Sequence, residues 1–152
     1  MSLRNYSLLA LTCLFCACGN SNKLLEQLTA TLEENQVRLD EKSMLVIIPR
    51  SGCCTCIGLA DYAFEETQQR EKIQVIYTKI GSLKTMRIKL GAETLNYTNV
   101  HIDQERDFSR GDLDSLYPWV AFIEGGQVQR VESLTSNRSD LVDAIIGIGA
   151  SE

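Results

Sequence analysis

Cys53 and Cys56 stand three positions apart in the run Cys53-Cys54-Thr55-Cys56. The stretch Met44-Leu-Val-Ile-Ile-Pro49 just before it reads as a buried strand, and a helical pattern starts directly after it. A Cys-x-x-Cys pair at a strand–helix junction makes one thiol reactive. The first sulfur sits near the helix N-terminus, where unpaired N–H groups and the macrodipole favour a thiolate. The second lies one turn further in, within reach to attack a mixed disulfide on the first. Redox chemistry is the first expectation.

The other cysteines sharpen it. Cys13, Cys16 and Cys18 lie in the N-terminal segment. There Arg4 precedes an uncharged apolar run from Leu8 to Ala17, too short to span a bilayer and patterned as a secretory signal. It ends in Phe15-Cys16-Ala17-Cys18-Gly19, which resembles the lipobox of bacterial lipoproteins, with Phe15 in place of the usual Leu. The expected division is a signal peptide over 1–17, a tether and amphipathic helix over 18–42, and one domain over 43–150. Cys18 would carry the lipid that holds the protein at the membrane. Cys53, Cys54 and Cys56 are then the remaining thiols, crowded into four residues where they cannot staple distant parts of a fold.

Without residues 1–17, fourteen Lys and Arg stand against twenty Asp and Glu, a net charge of −6. An acidic domain with no cationic cluster is a poor partner for nucleic acid or for an anionic bilayer surface.

The elements that must position the thiols follow from periodicity. Leu24, Leu25, Leu28, Leu32 and Leu39 recur at roughly helical spacing within Ser21–Lys42, predicting an amphipathic helix that packs on its leucine face. Met44–Ile48 is apolar throughout, as a strand buried on both faces must be. A helix is predicted from Cys54 to about Arg70, with Asp61, Glu65 and Glu66 on its solvated side. A second strand spans Ile73–Ile80, and a helix runs from a Ser82 cap to Leu90, stopped by Gly91. Asn99–Asp103 is a short third strand. Trp119–Glu124 and Gln127–Val131 flank Gly125-Gly126 as a hairpin. A final helix over Asp140–Ile148 is expected to take its cap from Asn137 or Ser139. Strands alternating with helices, then a hairpin, predict an α/β fold. Its central mixed sheet would have about four to five strands flanked by helices.

Over about 44–148 the chain resembles the thioredoxin-like superfamily. The resemblance rests on the strand leading to Cys53–Cys56, on Tyr117-Pro118-Trp119 opening a later strand, and on the Gly-Gly hairpin followed by a terminal helix. It implies a thioredoxin-like fold in which Pro118 is cis and lies against the disulfide. Exported, membrane-anchored members are similar in plan. That likeness implies a thiol–disulfide oxidoreductase of the bacterial cell envelope, with Cys53 as nucleophile and Cys56 as resolving thiol. It further implies a substrate groove at Tyr117 and Pro118, the backbone of Tyr117 pairing with an extended client. No cofactor beyond the redox-active disulfide is implied. Its partners would be exported protein thiols or disulfides and a membrane electron donor or acceptor. It would face the periplasm, or the outer surface of a single-membrane bacterium. The chain departs from the family at Gly52, where Trp is usual, at Thr55, where Pro is usual, and at Ile47 and Ile48, where an acid might be sought.

Neighbouring residues carry weaker readings. Arg50, three residues before Cys53, either lowers the Cys53 pKa or is a solvated loop cation. Cys54 is read as a small residue pointing away from the pair, with a third exchanging thiol as the alternative. Trp119 either lines the groove or packs in the core. Cys53, Cys54, Cys56 and His101, the single histidine, form the alternative zinc or copper set of a metal chaperone. A non-catalytic lipoprotein that binds a partner through the same groove is the other alternative.

Overall fold

A computed structural model describes residues 19–67 and 69–148; the proposed signal peptide, the lipidation site Cys18 and the last four residues lie outside it. Five strands form one sheet in the order β3-β2-β1-β4-β5. Strand β1 (Met44–Pro49) sits at its centre, parallel to β2 (Ile73–Thr78) and antiparallel to β4 (Trp119–Glu124). β2 pairs in parallel with the short β3 (Val100–Ile102), and β4 pairs antiparallel with β5 (Gln127–Ser133). The protein is a mixed α/β fold, as its alternating pattern predicts.

Every residue of β1 and β2 is buried. Side chains alternate across a strand, so a fully apolar strand feeds two cores. Met44, Val46 and Ile48 point to one side, where helices α2 (Cys54–Glu66) and α4 (Ser139–Ile146) bring Phe64, Ala60 and Ile145. Leu45 and Ile47 point to the other, where α1 (Gly19–Glu34) supplies Leu28 and Leu32, and the connection before β4 supplies Phe108 and Leu113. Helix α1 therefore belongs to the packed structure.

Local signals explain the joints. Helix α3 (Leu83–Leu90) starts where Ser82 Oγ accepts from the Thr85 N–H at 3.3 Å, and ends at Gly91 with φ +82°. The β4–β5 hairpin turns on Gly125 and Gly126, both at positive φ (58° and 76°), the combination a tight two-residue turn requires.

Four expectations need correction. The leucine helix stops at Glu34, and Gln36 turns the chain with φ +54°, so Leu39 reaches the core from outside it. Helix α2 stops at Glu66; Thr67 is already extended (φ −65°, ψ 138°), and Arg70 lies in a short 3-10 turn. Helix α4 is capped by neither Asn137 nor Ser139. Its N-cap is Arg138, whose guanidinium ties Glu132 of β5 to Asp140 in the first turn. Finally, no peptide bond among the described residues is cis, so Tyr117–Pro118 is trans. Trans is the form an X–Pro bond prefers by about 0.5–1 kcal/mol, and no local residue opposes it.

Leu28 is fully buried where α1 meets the sheet. Leu28→Ala is expected to cost about 2–5 kcal/mol, read as a lower urea midpoint at an unchanged m-value.

Candidate redox site at the end of the central strand

Strand β1 ends at Pro49, and Arg50–Gly52 carries the chain over the sheet edge to Cys53, the N-cap of α2. Cys53 is extended (φ −67°, ψ 101°), and its Sγ accepts from the Cys56 N–H at 3.4 Å. The sulfur thus takes the place of the oxygen that Ser or Asp would offer as a cap. Cys53 and Cys56 are disulfide-bonded, with Cα atoms 5.3 Å apart. The two are unequal: Cys53 is half-buried, whereas Cys56 is 1% exposed among the α2 core residues. Cys54 is a free, exposed thiol on the first residue of the helix. Its Sγ lies 3.9 Å from its own turn's Gly52 carbonyl.

The segment before β4 meets this loop from above. The Leu116 carbonyl accepts the Cys53 N–H at 2.8 Å. That approach needs the glycine at position 52, because a Cβ there would overlap the Leu116 carbonyl oxygen and lie 3.0–3.1 Å from its carbonyl carbon and Cα. The usual tryptophan is thereby excluded on steric grounds. Leu116 and Tyr117 are exposed, at 61% and 40%, on the segment whose backbone meets Cys53. The Tyr117 N–H is held by Ser115 Oγ at 3.0 Å. Pro118 is buried, and its carbonyl accepts from Leu134 N–H at 2.8 Å. Trp119 packs on the α1 side of the sheet and donates from Nε1 to the Leu113 carbonyl at 3.2 Å.

Two charged residues that the sequence pattern leaves unmarked anchor this segment. Lys79, just past β2 in a left-handed conformation (φ +53°), donates to the Ser115 carbonyl at 2.8 Å and pairs with Asp114. Asp103, 2% exposed, follows β3 and accepts from Thr78 Oγ1 at 2.6 Å and from the Asp107 and Phe108 N–H groups at 3.0 Å. A buried carboxylate with three donors shapes the connection that leads to Leu116.

Arg50 is no solvated loop cation. Its Nη1 donates to both carboxylate oxygens of Asp61, at 2.9 and 2.8 Å, and its guanidinium lies 5.4 Å from the Tyr77 ring centroid. Asp61 therefore leaves the solvated face expected of it, drawn in by the cation at the end of β1. Burial raises the Asp61 pKa, and Arg50 opposes the rise. The Tyr77 hydroxyl is buried without a hydrogen-bond partner, and its pKa is pushed up by burial first and by the Asp61 charge second.

His101 lies in β3, stacked edge-on against Phe108 with ring centroids 5.8 Å apart. Among the described residues no three His, Cys, Asp or Glu side chains come together as metal ligands, so Cys53, Cys54, Cys56 and His101 are not gathered into one site. No described helix is long and apolar enough to cross a membrane. Comparison of the chain with protein-family models and with curated proteins gives no match. The mixed sheet and the disulfide at the start of α2 are compatible with a thioredoxin-like fold and with redox function.

Gly52→Ala is expected to force the Leu116 carbonyl off the Cys53 N–H. Thermal unfolding should report a loss of about 1–3 kcal/mol. Alkylation of reduced Cys53 should also change in rate, because the loop that seats Cys53 against Leu116 is displaced.

Proposed function

We propose that Cys53 and Cys56 form a reversible dithiol–disulfide couple that exchanges with protein thiols in the bacterial cell envelope. The inequality of the two sulfurs carries this reading. A half-buried sulfur at a helix N-terminus is the one a client can meet, and a buried sulfur one turn on is held back to resolve. The Cys56 N–H and the positive end of a 13-residue helix favour a thiolate at Cys53.

In the reducing direction, the Cys53 thiolate attacks one sulfur of a client disulfide and expels the other as a client thiolate. Cys56, on losing its proton to solvent, attacks Cys53 Sγ and releases the second client sulfur. Two electrons pass to the client, and the Cys53–Cys56 bond forms. The oxidising direction runs the same steps backwards. Leu116 and Tyr117 offer an apolar landing beside Cys53 for an extended client segment. The lipobox-like residues ending at Cys18 support a lipid anchor, with a membrane partner restoring the couple after each turnover.

The deciding experiment equilibrates the purified protein in dithiothreitol and glutathione buffers. Peptide-resolved mass spectrometry after alkylation then follows the cysteines. The expected result is a single two-electron transition of Cys53 with Cys56, Cys54 remaining alkylatable throughout. A potential near about −270 mV would make it a reductant, and one near about −120 mV an oxidant. Cys56→Ser should accumulate a mixed disulfide through Cys53, and Cys53→Ser should abolish exchange. If Cys53 and Cys56 do not cycle together, the reading fails.

A further inference from the structure

The Arg50–Asp61 pair has no part in the exchange steps, yet it is built with care. Both side chains are nearly shut off from water, 12% and 17% exposed, and the carboxylate takes its two hydrogen bonds from one guanidinium nitrogen. Such a pair is a weak stabiliser, because desolvating two charges offsets most of their attraction. Its placement is more telling. Arg50 stands on the short segment into Cys53, while Asp61 stands on α2, the helix that bears Cys56. Asp61 lies eight residues past Cys53 along α2, about 12 Å of helix rise, so the pair acts on Cys53 across roughly that distance through its charge rather than by contact.

Building on the exchange reading above, we propose that Asp61 is a positioning residue that holds the Arg50 guanidinium against α2 and cancels its charge. The pair thereby sets how strongly the Cys53 thiolate is stabilised, and with it the balance between dithiol and disulfide. When a dithiol reductant opens the Cys53–Cys56 bond, the protein takes up two electrons and one proton. Cys53 becomes a thiolate and Cys56 a thiol, so one negative charge appears at Cys53. A bare Arg50 would favour that charge; Asp61 restrains it. The other charged or titratable groups facing Asp61 are Glu65 of α2, Lys89 of α3 and the Tyr77 hydroxyl of β2. Glu65 and Lys89 carry opposite charges, and Tyr77 is neutral at pH 7. On the segment that meets Cys53, Lys79 and Asp114 pair with each other, and the substitutions below leave that pair in place.

The consequence is a pair of opposite signs. In the full chain, Asp61→Asn leaves Arg50 uncompensated. It should lower the Cys53 pKa and shift the equilibrium with dithiothreitol about three- to tenfold toward the dithiol. Arg50→Gln leaves Asp61 uncompensated and should shift both by a similar factor the other way. The double variant should return close to the native values, and Asp61→Glu should keep them. The thiolate is read by the pH dependence of Cys53 alkylation in the reduced protein, and folding by thermal unfolding on the same samples. Single variants that move the couple in the same direction, or that change only the melting temperature, overturn the proposal. If Asp61→Asn does not fold, Arg50→Gln decides it: an unchanged or lowered Cys53 pKa overturns it. A native protein without a reversible couple defeats the exchange reading, whereas a normal couple unmoved by these substitutions defeats this inference alone.

Discussion

A strand buried on both faces imposes the rest of this architecture. β1 has no polar side chain to offer water, so layers must cover it from both sides, and the chain provides them from both ends. Helices α2 and α4 close one face. On the other, α1 and the 3-10 turns before β4 do the same work with fewer buried side chains. At about 25 cal/mol per Å² of apolar surface, covering two faces of a central strand is a large favourable contribution for a domain this size. The strand also has a direction. It runs straight into the Cys53 loop, so the sulfur lies a few residues beyond a strand that is fully buried and paired on both sides.

Backbone groups released at that sheet edge need partners, and meeting the need builds the site. The Arg50 N–H finds the Thr78 carbonyl of the neighbouring strand, and the Cys53 N–H finds the Leu116 carbonyl. Leu116 can come so close only because residue 52 is glycine and because Lys79 and Asp103 hold the connection that bears it. With its own amide engaged, Cys53 receives its sulfur's hydrogen bond from Cys56, one helical turn along. The amide of the buried cysteine thus bonds the sulfur of the half-buried one. Asymmetry between the two sulfurs is a product of helix capping as much as of burial.

Elements whose cause is local were legible in the sequence. Ser82 and Gly91 bracket α3, Gly125-Gly126 turns the hairpin, and the apolar run Met44–Ile48 marks the central strand, each through a rule that spans a few residues. The Cys-x-x-Cys pair belongs with them, since strand, cap and helix all lie within its neighbourhood. What escaped was set by distant partners. Asp61 has the spacing of a solvated helix residue until Arg50, eleven positions earlier, is brought over it. Lys79 gives no sign of a left-handed backbone, because the contacts that hold it there come from Asp114 and Ser115, more than thirty residues on. The end of α1 and the cap of α4 differ from the pattern for nearer causes: leucine spacing continues past Glu34 into a turn, and Arg138 spans from β5 to α4 in place of an Asn137 or Ser139 cap.

The bond at the centre of the site contributes less to holding the fold together than a cross-link between distant segments would. A cross-link stabilises chiefly by limiting the unfolded chain, and the benefit grows with the loop it closes. For the short ring between Cys53 and Cys56 the chain-entropy relation gives about 2 kcal/mol, against about 5 kcal/mol for a hundred-residue loop. Two hydrophobic cores, one on each side of β1, maintain the structure without reference to that bond. Opening it therefore removes less than half of what a long-range staple would contribute, and both cores are built from other residues. An exported domain that used its cysteines as staples would tie distant segments and would lose its fold on reduction. Here the thiols are gathered at one helix end, and the fold is secured elsewhere.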